Sequence, residues 1–217
     1  MTFLIRAKQP APAMKHVYVI DDNEVVASAL GDTLKRLGFS TEVYNDPLVF
    51  LQESMPVSPA VILMDMRMPS MSGVELQKRL QDIGRKTPIV FISGEWESSE
   101  IVLSMKQGAV DFLFKPFNLE DLLTAIAHAL EKDQQNSQAL SLQLTLRERY
   151  NSLTPREKEV CALLVEGLLS KQIAVNLGIS NATIKVHKSR ILEKMQASSL
   201  QQLALGIQQL GLNEVCR

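Results

Sequence analysis

The run Val61-Ile62-Leu63-Met64 constrains the chain most. Four consecutive apolar residues, two of them branched at Cβ, describe a short strand covered on both faces, as in a parallel sheet. The run stops on a carboxylate, Asp65, and Pro69 and Gly73 break the chain before the next helix. Asp65 therefore belongs at the carboxyl end of a central strand, where open α/β sheets gather their ligands. Alone, an Asp in such a place is more often a solvated terminus or a helix cap than a nucleophile. The other strand ends have to decide.

Four further runs read as strands. Residues 17–20 stop at Asp21-Asp22, and residues 40–44 follow a helix over 24–37 that Gly38 closes. Residues 88–92 stop at Ser93-Gly94, and residues 109–114 end at Lys115-Pro116. Helices are expected from Pro47, over 73–83, over 97–107 and from Asn118 to at least Leu130. Strict alternation of five strands with helices means an α/β fold, a parallel sheet with right-handed crossovers. Asp21, Asp22, Asp65, Ser93 and Lys115 then meet at one edge of it.

Residues 1–15 read as a flexible basic tail. Residues 131–150 form a linker rich in Leu, Gln, Arg and Glu, which favours helix; Leu140 and Leu144 are expected on its buried side. Thr154-Pro155-Arg156-Glu157 has capping-box spacing with Pro at the first helical position. Close-set helices over about 155–165, 170–177, 181–195 and 199–210 make a second, all-α domain over 151–217.

Charge separates the two halves. Residues 16–133 carry 10 Lys and Arg against 18 Asp and Glu, a net −8, and residues 150–217 carry 8 against 5, a net +3. The acidic half suits a cation or a basic partner, the basic half nucleic acid. Two distant cysteines make no disulfide framework and fit a reducing cytoplasm, with Cys161 a core residue. The three histidines have no metal-ligand spacing, and no apolar run approaches the roughly 20 residues that span a bilayer.

Carboxylates forced together raise one another's pKa unless a cation intervenes. A cluster of oxygens without His or Cys suits Mg²⁺. Beside such an ion Asp65 would be an ionised nucleophile toward a phosphoryl group. Asp22 and the backbone carbonyl of Arg67 would hold the ion, with Asp21 acting through water. Lys115 would neutralise a phosphoryl oxygen and Ser93 donate a hydroxyl. In the second domain the short turn Gly178-Ile179-Ser180 between two helices is a helix-turn-helix arrangement. Ile184, Ile191 and Met195 mark the buried stripe of its second helix, and Val186 lies about 200° from Ile184 at 100° per residue. An exposed Val flanked by Lys185 and Ser189 suits a thymine methyl beside hydrogen-bonding base edges.

These residues bear a family resemblance. Residues 16–130 resemble the receiver domain of two-component response regulators. Leu153-Thr154-Pro155-Arg156-Glu157, Gly167, Ile173-Ala174, Gly178-Ile179-Ser180, Thr183-Ile184-Lys185-Val186-His187 and Arg190 resemble the LuxR-type DNA-binding domain. Together they are most similar to the FixJ subgroup. The resemblance implies a flavodoxin-like, doubly wound sheet in the order 2-1-3-4-5. It implies phosphorylation of Asp65 by a sensor histidine kinase, with Ser93 drawn inward and Phe112 following as a packing switch. Arg67 and Glu95 would flank the pocket, paired across its mouth. Lys185, Val186 and Ser189 would read bases; Lys171, Thr183, His187, Lys188 and Arg190 would approach phosphates. Operator DNA, RNA polymerase and a second copy joined on phosphorylation are the implied partners, and the location cytoplasmic. Such a protein accepts a phosphoryl group without being an enzyme, beyond slow self-dephosphorylation. Two other classes stay open: a phosphohydrolase with an Asp nucleophile, for which Arg67 stands where a second carboxylate is usual, and an adaptor whose helices bind protein.

Overall fold

The computed structural model describes residues 15–55, 57–94 and 97–212. The rest of the N-terminal tail, Glu95, Trp96 and Cys216 lie outside the described residues. The chain divides into two compact units, up to Ser137 and from Gln138.

The first unit is a parallel sheet of β1 (His16–Ile20), β2 (Ser40–Tyr44), β3 (Ala60–Asp65), β4 (Ile89–Ser93) and β5 (Asp111–Phe114) in the order β2-β1-β3-β4-β5. This is the expected doubly wound order. Alternate residues of β1, β3 and β4 feed two cores, as the period-2 geometry of a strand requires. Val17, Val19, Val61, Leu63, Val90 and Ile92 pack on one face with Ala27 and Leu34 of α1 (Glu24–Arg36) and Ile126 of α5 (Leu119–Asn151). Tyr18, Ile20, Ile62, Met64 and Phe91 pack on the other with Phe50 of α2 (Pro47–Gln52) and Leu76 and Leu80 of α3 (Gly73–Asp82). Both faces of β3 are buried throughout, which is why its sequence is a continuous apolar run. α4 (Ser98–Lys106) lies against α3 and buries only Ser104 of its own residues.

Two devices set the geometry of strand ends. Gly73 opens α3 so close to the loop after β3 that a Cβ there would fall 2.5 Å from the Asp65 carbonyl oxygen. Asp133 of α5, 7% exposed, accepts from the Ala60 N–H at 3.0 Å and the Ser58 hydroxyl at 2.8 Å, satisfying a buried backbone amide at the start of β3.

The second unit takes in α5 from Gln138, then α6 (Pro155–Val165), α7 (Ser170–Leu177), α8 (Asn181–Met195) and α9 (Leu200–Gln209). Residues 131–150 are thus helical, within α5. Leu140 and Leu144, expected on a buried side, are each 57% exposed. Their spacing puts them on one face, but every residue from 138 to 144 is exposed; a shared helical face is buried only where another element packs on it. Burial begins at Leu146, which packs against α9 at Gly206, where an added Cβ would stand 3.4 Å from its methyl. Val160, Cys161, Ile173, Ile184, Ile191, Leu203 and Ile207 form the core of this unit. The capping box at α6 is complete: the Thr154 hydroxyl accepts from the Glu157 N–H, and the Glu157 carboxylate from the Thr154 N–H. Among the described residues no helix is long and apolar enough to cross a membrane.

Candidate functional site

The carboxyl ends of β1, β3, β4 and β5 bring Asp21, Asp65, Ser93 and Lys115 together. The Lys115 ammonium lies 2.8 Å from Asp65 Oδ1 and 2.8 Å from Asp21 Oδ2. The other oxygen of each carboxylate is also engaged: Asp65 Oδ2 accepts from the Arg67 N–H at 2.8 Å, and Asp21 Oδ1 from the Asn23 N–H at 2.9 Å. The Lys115 N–H donates to the Ser93 carbonyl at 2.8 Å, so its backbone is fixed to β4 while its side chain reaches across β3 to β1. Asp21 and Asp65 are buried, 6% and 9% exposed, and Ser93 is 2% exposed.

Electrostatics follow from this burial. Desolvation raises the Asp65 carboxyl above its ordinary pKa; the bonds from Lys115 and the Arg67 N–H pull it back without cancelling the rise, and the Asp21 charge adds to it. Burial acts to lower the Lys115 ammonium, but hydrogen bonds to Asp21 and Asp65 outweigh it and leave its pKa raised. Lys115 is thus held cationic between two buried oxygen ligands, the position an incoming phosphoryl oxygen would exploit.

The side chains of Asp22, Arg67 and Phe112 have other surroundings. Asp22 is exposed and joins neither Asp21 nor Asp65, so among the described residues no three acids form a ready metal nest. Arg67 Nη2 lies 3.8 Å from Glu97 and 3.8 Å from Glu100, at the first turn of α4; the expected partner Glu95 is outside the described residues. Sequence spacing alone does not pair Glu97 and Glu100 with Arg67, which is distant from them in the chain. Phe112 is half-buried in an aromatic row, with its centroid 6.2 Å from Phe91 and 4.9 Å from Phe114.

In the second unit Gly178 ends α7 in the left-handed region, φ 65°, where a glycine carries no Cβ penalty. Ser180 caps α8 by accepting from the Thr183 N–H at 3.0 Å. Ile184, Ile191 and Met195 are buried, which fixes the rotation of α8. Val186 is then 50% exposed, and Lys185, Ser189, Arg190, Thr183 and Lys171 are exposed with it, while His187 and Lys188 are half-buried. Lys171 sits in the first turn of α7. Leu169 before it has no side chain able to cap, but the side-chain oxygen Oε1 of Gln172 accepts from the Leu169 N–H at 2.8 Å.

A parallel sheet with an acid–lysine pocket at its strand ends, in a chain that also carries a helix-turn-helix with a basic exposed face, combines a unit of the α/β signalling type with one of the DNA-binding type. Comparison with known proteins gives the same class. Residues 17–127 match the response regulator receiver domain, and residues 151–206 match the bacterial regulatory proteins of the luxR family. The chain is 41% identical over 188 residues to the response regulator protein TodT of Pseudomonas putida, covering 86% of this chain and 82% of that one. It is 37% identical over 191 residues to the transcriptional regulatory protein FixJ of Rhizobium meliloti, covering 86% and 92%. Among solved structures it is similar to the response regulator StyR, with a TM-score of 0.79 at 39% identity over 90% of this chain and 99% of that one. Full-length FixJ from B. japonicum gives a TM-score of 0.55 at 34% identity, covering 91% and 97%.

The chain belongs to the response regulator family, as a receiver domain joined to a LuxR-type DNA-binding domain and related to FixJ. It is a transcriptional regulator, of a family whose regulation typically depends on phosphorylation. Its receiver implies a histidine kinase partner, its second domain DNA, and receiver domains generally bind Mg²⁺ at the phosphorylation site.

Proposed function

We propose that a histidine kinase phosphorylates Asp65 and that this switches DNA binding by residues of α8. The observation that carries the reading is the Lys115 ammonium bonded at 2.8 Å to both Asp65 and Asp21. In the transfer an Asp65 oxygen attacks the phosphorus of a phosphohistidine. The P–O bond forms, the P–N bond breaks, and the imidazole leaves with its electron pair and takes up a proton. Lys115 exchanges a carboxylate oxygen for a phosphoryl oxygen, and the Ser93 hydroxyl donates to another; the Phe112 ring follows Ser93. The carboxylates and carbonyl of this pocket are oxygen donors, which fit Mg²⁺; Asp22, Asp65 and the Arg67 carbonyl would hold it, with Asp21 contributing through water. Bound there, the ion supplies positive charge to the transferring group.

The domain assignment proposed is a tail over 1–15, the receiver over 16–130, a helical linker over 131–150 and the DNA-binding domain over 151–217. Lys185, Val186 and Ser189 read base edges; Lys171, Thr183, His187, Lys188 and Arg190 contact phosphates. Phosphorylation promotes a dimer through the α4–β5–α5 face, where Glu97, Glu100, Asp111 and Glu120 accompany Lys106, a mixture of signs suited to pairing between copies. The dimer recruits RNA polymerase in the cytoplasm. Incubation with acetyl phosphate and Mg²⁺ is expected to label the native protein and leave Asp65→Asn unlabelled; equal labelling of the variant would overturn the site.

A further inference from the structure

α4 is held by polar bonds where its neighbours are held by apolar ones. Its only buried residue is Ser104, and Val102, Leu103 and Met105 are 52%, 47% and 44% exposed. Beside it α3 presents Gln77, 1% exposed. The Gln77 Nε2 donates to the Ser104 carbonyl at 3.2 Å and to the Gln107 carbonyl at 3.3 Å. Exposed Gln81, one turn further on, donates to the same Gln107 carbonyl. Since carbonyls only accept, these bonds fix which end of the Gln77 amide faces α4. The Gln77 Oε1 is left buried without a hydrogen-bond partner.

The other end of α4 has a different attachment. Its N-cap Glu97 makes no side-chain capping bond, and Glu97 and Glu100 lie 3.8 Å from the guanidinium of Arg67, two residues after Asp65. The first turn of α4 thus answers to the Asp65 loop and its end to α3. The amide clasp is weak by construction. Its bonds are neutral, water can replace them, and the buried orphan oxygen works against them. An apolar anchor would resist a charge change at the other end of the helix; a clasp of this kind can yield to one.

We propose that Gln77 and Gln81 are the restraint that keeps α4 docked in the unphosphorylated protein, and that phosphorylation works against this restraint through Arg67 and the first turn of α4. The second half of this inference rests on Asp65 being the phosphoacceptor. Gln77 is a positioning residue: it touches neither the phosphoryl group nor DNA, and sets how readily α4 leaves α3.

Hydrogen exchange of residues 98–108 in the full chain tests this, in the native protein, Gln77→Met and Gln81→Ala. Before phosphorylation, exchange there should be about tenfold faster in Gln77→Met, with residues 73–82 and 119–130 unchanged. Gln81→Ala, a surface change that does not endanger folding, should accelerate the same segment by about threefold. With acetyl phosphate and Mg²⁺ the native segment should quicken toward the Gln77→Met rate, and Gln77→Met should change little. Intact mass of the same samples reports phosphorylation of Asp65, so a failure of that reading is seen separately from the comparison of resting proteins. Resting rates in both variants equal to native would overturn the proposal. So would a phosphorylation response as large in Gln77→Met as in the native chain.

Discussion

The pocket around Asp65 and the exposed face of α8 spend charge in opposite ways. In the pocket two buried carboxylates share one ammonium, and each remaining oxygen is bonded to a backbone N–H. On α8 the charged groups Lys185 and Arg190 stand in solvent, and the buried side of the helix is apolar. Removing one partner from a buried cluster strands an uncompensated charge and so costs stability as well as chemistry, whereas solvated cations wait for a partner and contribute little to the fold. Substitutions in the first should therefore change folding and function together. Those in the second should change function alone.

The largest expected effect breaks the pocket. Lys115→Met leaves two buried carboxylates without their cation and should cost about 3 kcal/mol, the low end for breaking a buried ion pair, because the lysine side chain is 30% exposed. Urea unfolding followed by Trp96, the chain's single tryptophan, measures it. Lys185→Ala should by contrast leave stability within about 0.5 kcal/mol of native. A Lys115 variant as stable as native would erase the contrast between the two regions.

Next come the residues proposed to read bases. Lys185→Ala and Val186→Ala should each relax preference at one operator position, at about 1–3 kcal/mol, in competition assays across operator variants. If both leave the ranking of variants unchanged, the rotation of α8 fixed by Ile184, Ile191 and Met195 presents some other face to DNA. Lys188→Ala should instead weaken binding to all sequences alike and flatten the log–log salt dependence by roughly 0.9.

The smallest effect concerns pH, and it shows that the DNA-binding unit has a buried charge cluster of its own. Glu157, 3% exposed, bonds Lys194 at 2.6 Å and the Thr154 N–H at 2.8 Å. The Lys194 bond, then the backbone bond, lower its carboxyl from 4.5 to about 2. A carboxyl depressed by folding stabilises fully above its unfolded pKa, and that stability is lost as pH falls through the folded one. Between about pH 4.5 and 2, hydrogen exchange over 155–165 should accelerate with a proton-linked slope, and Glu157→Gln should lack it.

The physical reason some of this was legible in the sequence lies in burial. β3 is covered on both faces, so its apolar run announces a strand, and each polar strand end interrupts such a run and is noticed. α8 was legible because Ile184, Ile191 and Met195 share a stripe and Val186 does not. Periodicity says which residues share a face, but not whether anything covers it, and so Leu140 and Leu144 were misjudged while Leu146, next to α9, is the buried one. Side-chain partners distant in sequence were illegible for a related reason. Gln77 looks like any polar helical residue until α4 is seen against it, and Lys194 gives no sign that it completes the cap of α6. Asp21 and Asp22 read alike in the sequence, and it took the fold to separate them, Asp21 buried and Asp22 exposed at the rim of the pocket.

The most direct test of the link between the two regions is DNA affinity before and after phosphorylation. Fluorescence anisotropy on a selected operator, at fixed salt, with and without acetyl phosphate and Mg²⁺, would be compared for the native chain and Asp65→Asn. The native chain is expected to bind more tightly once phosphorylated, and Asp65→Asn to bind identically under both conditions. An equal gain in affinity for Asp65→Asn would contradict the claim that the pocket at Asp65 governs the face of α8.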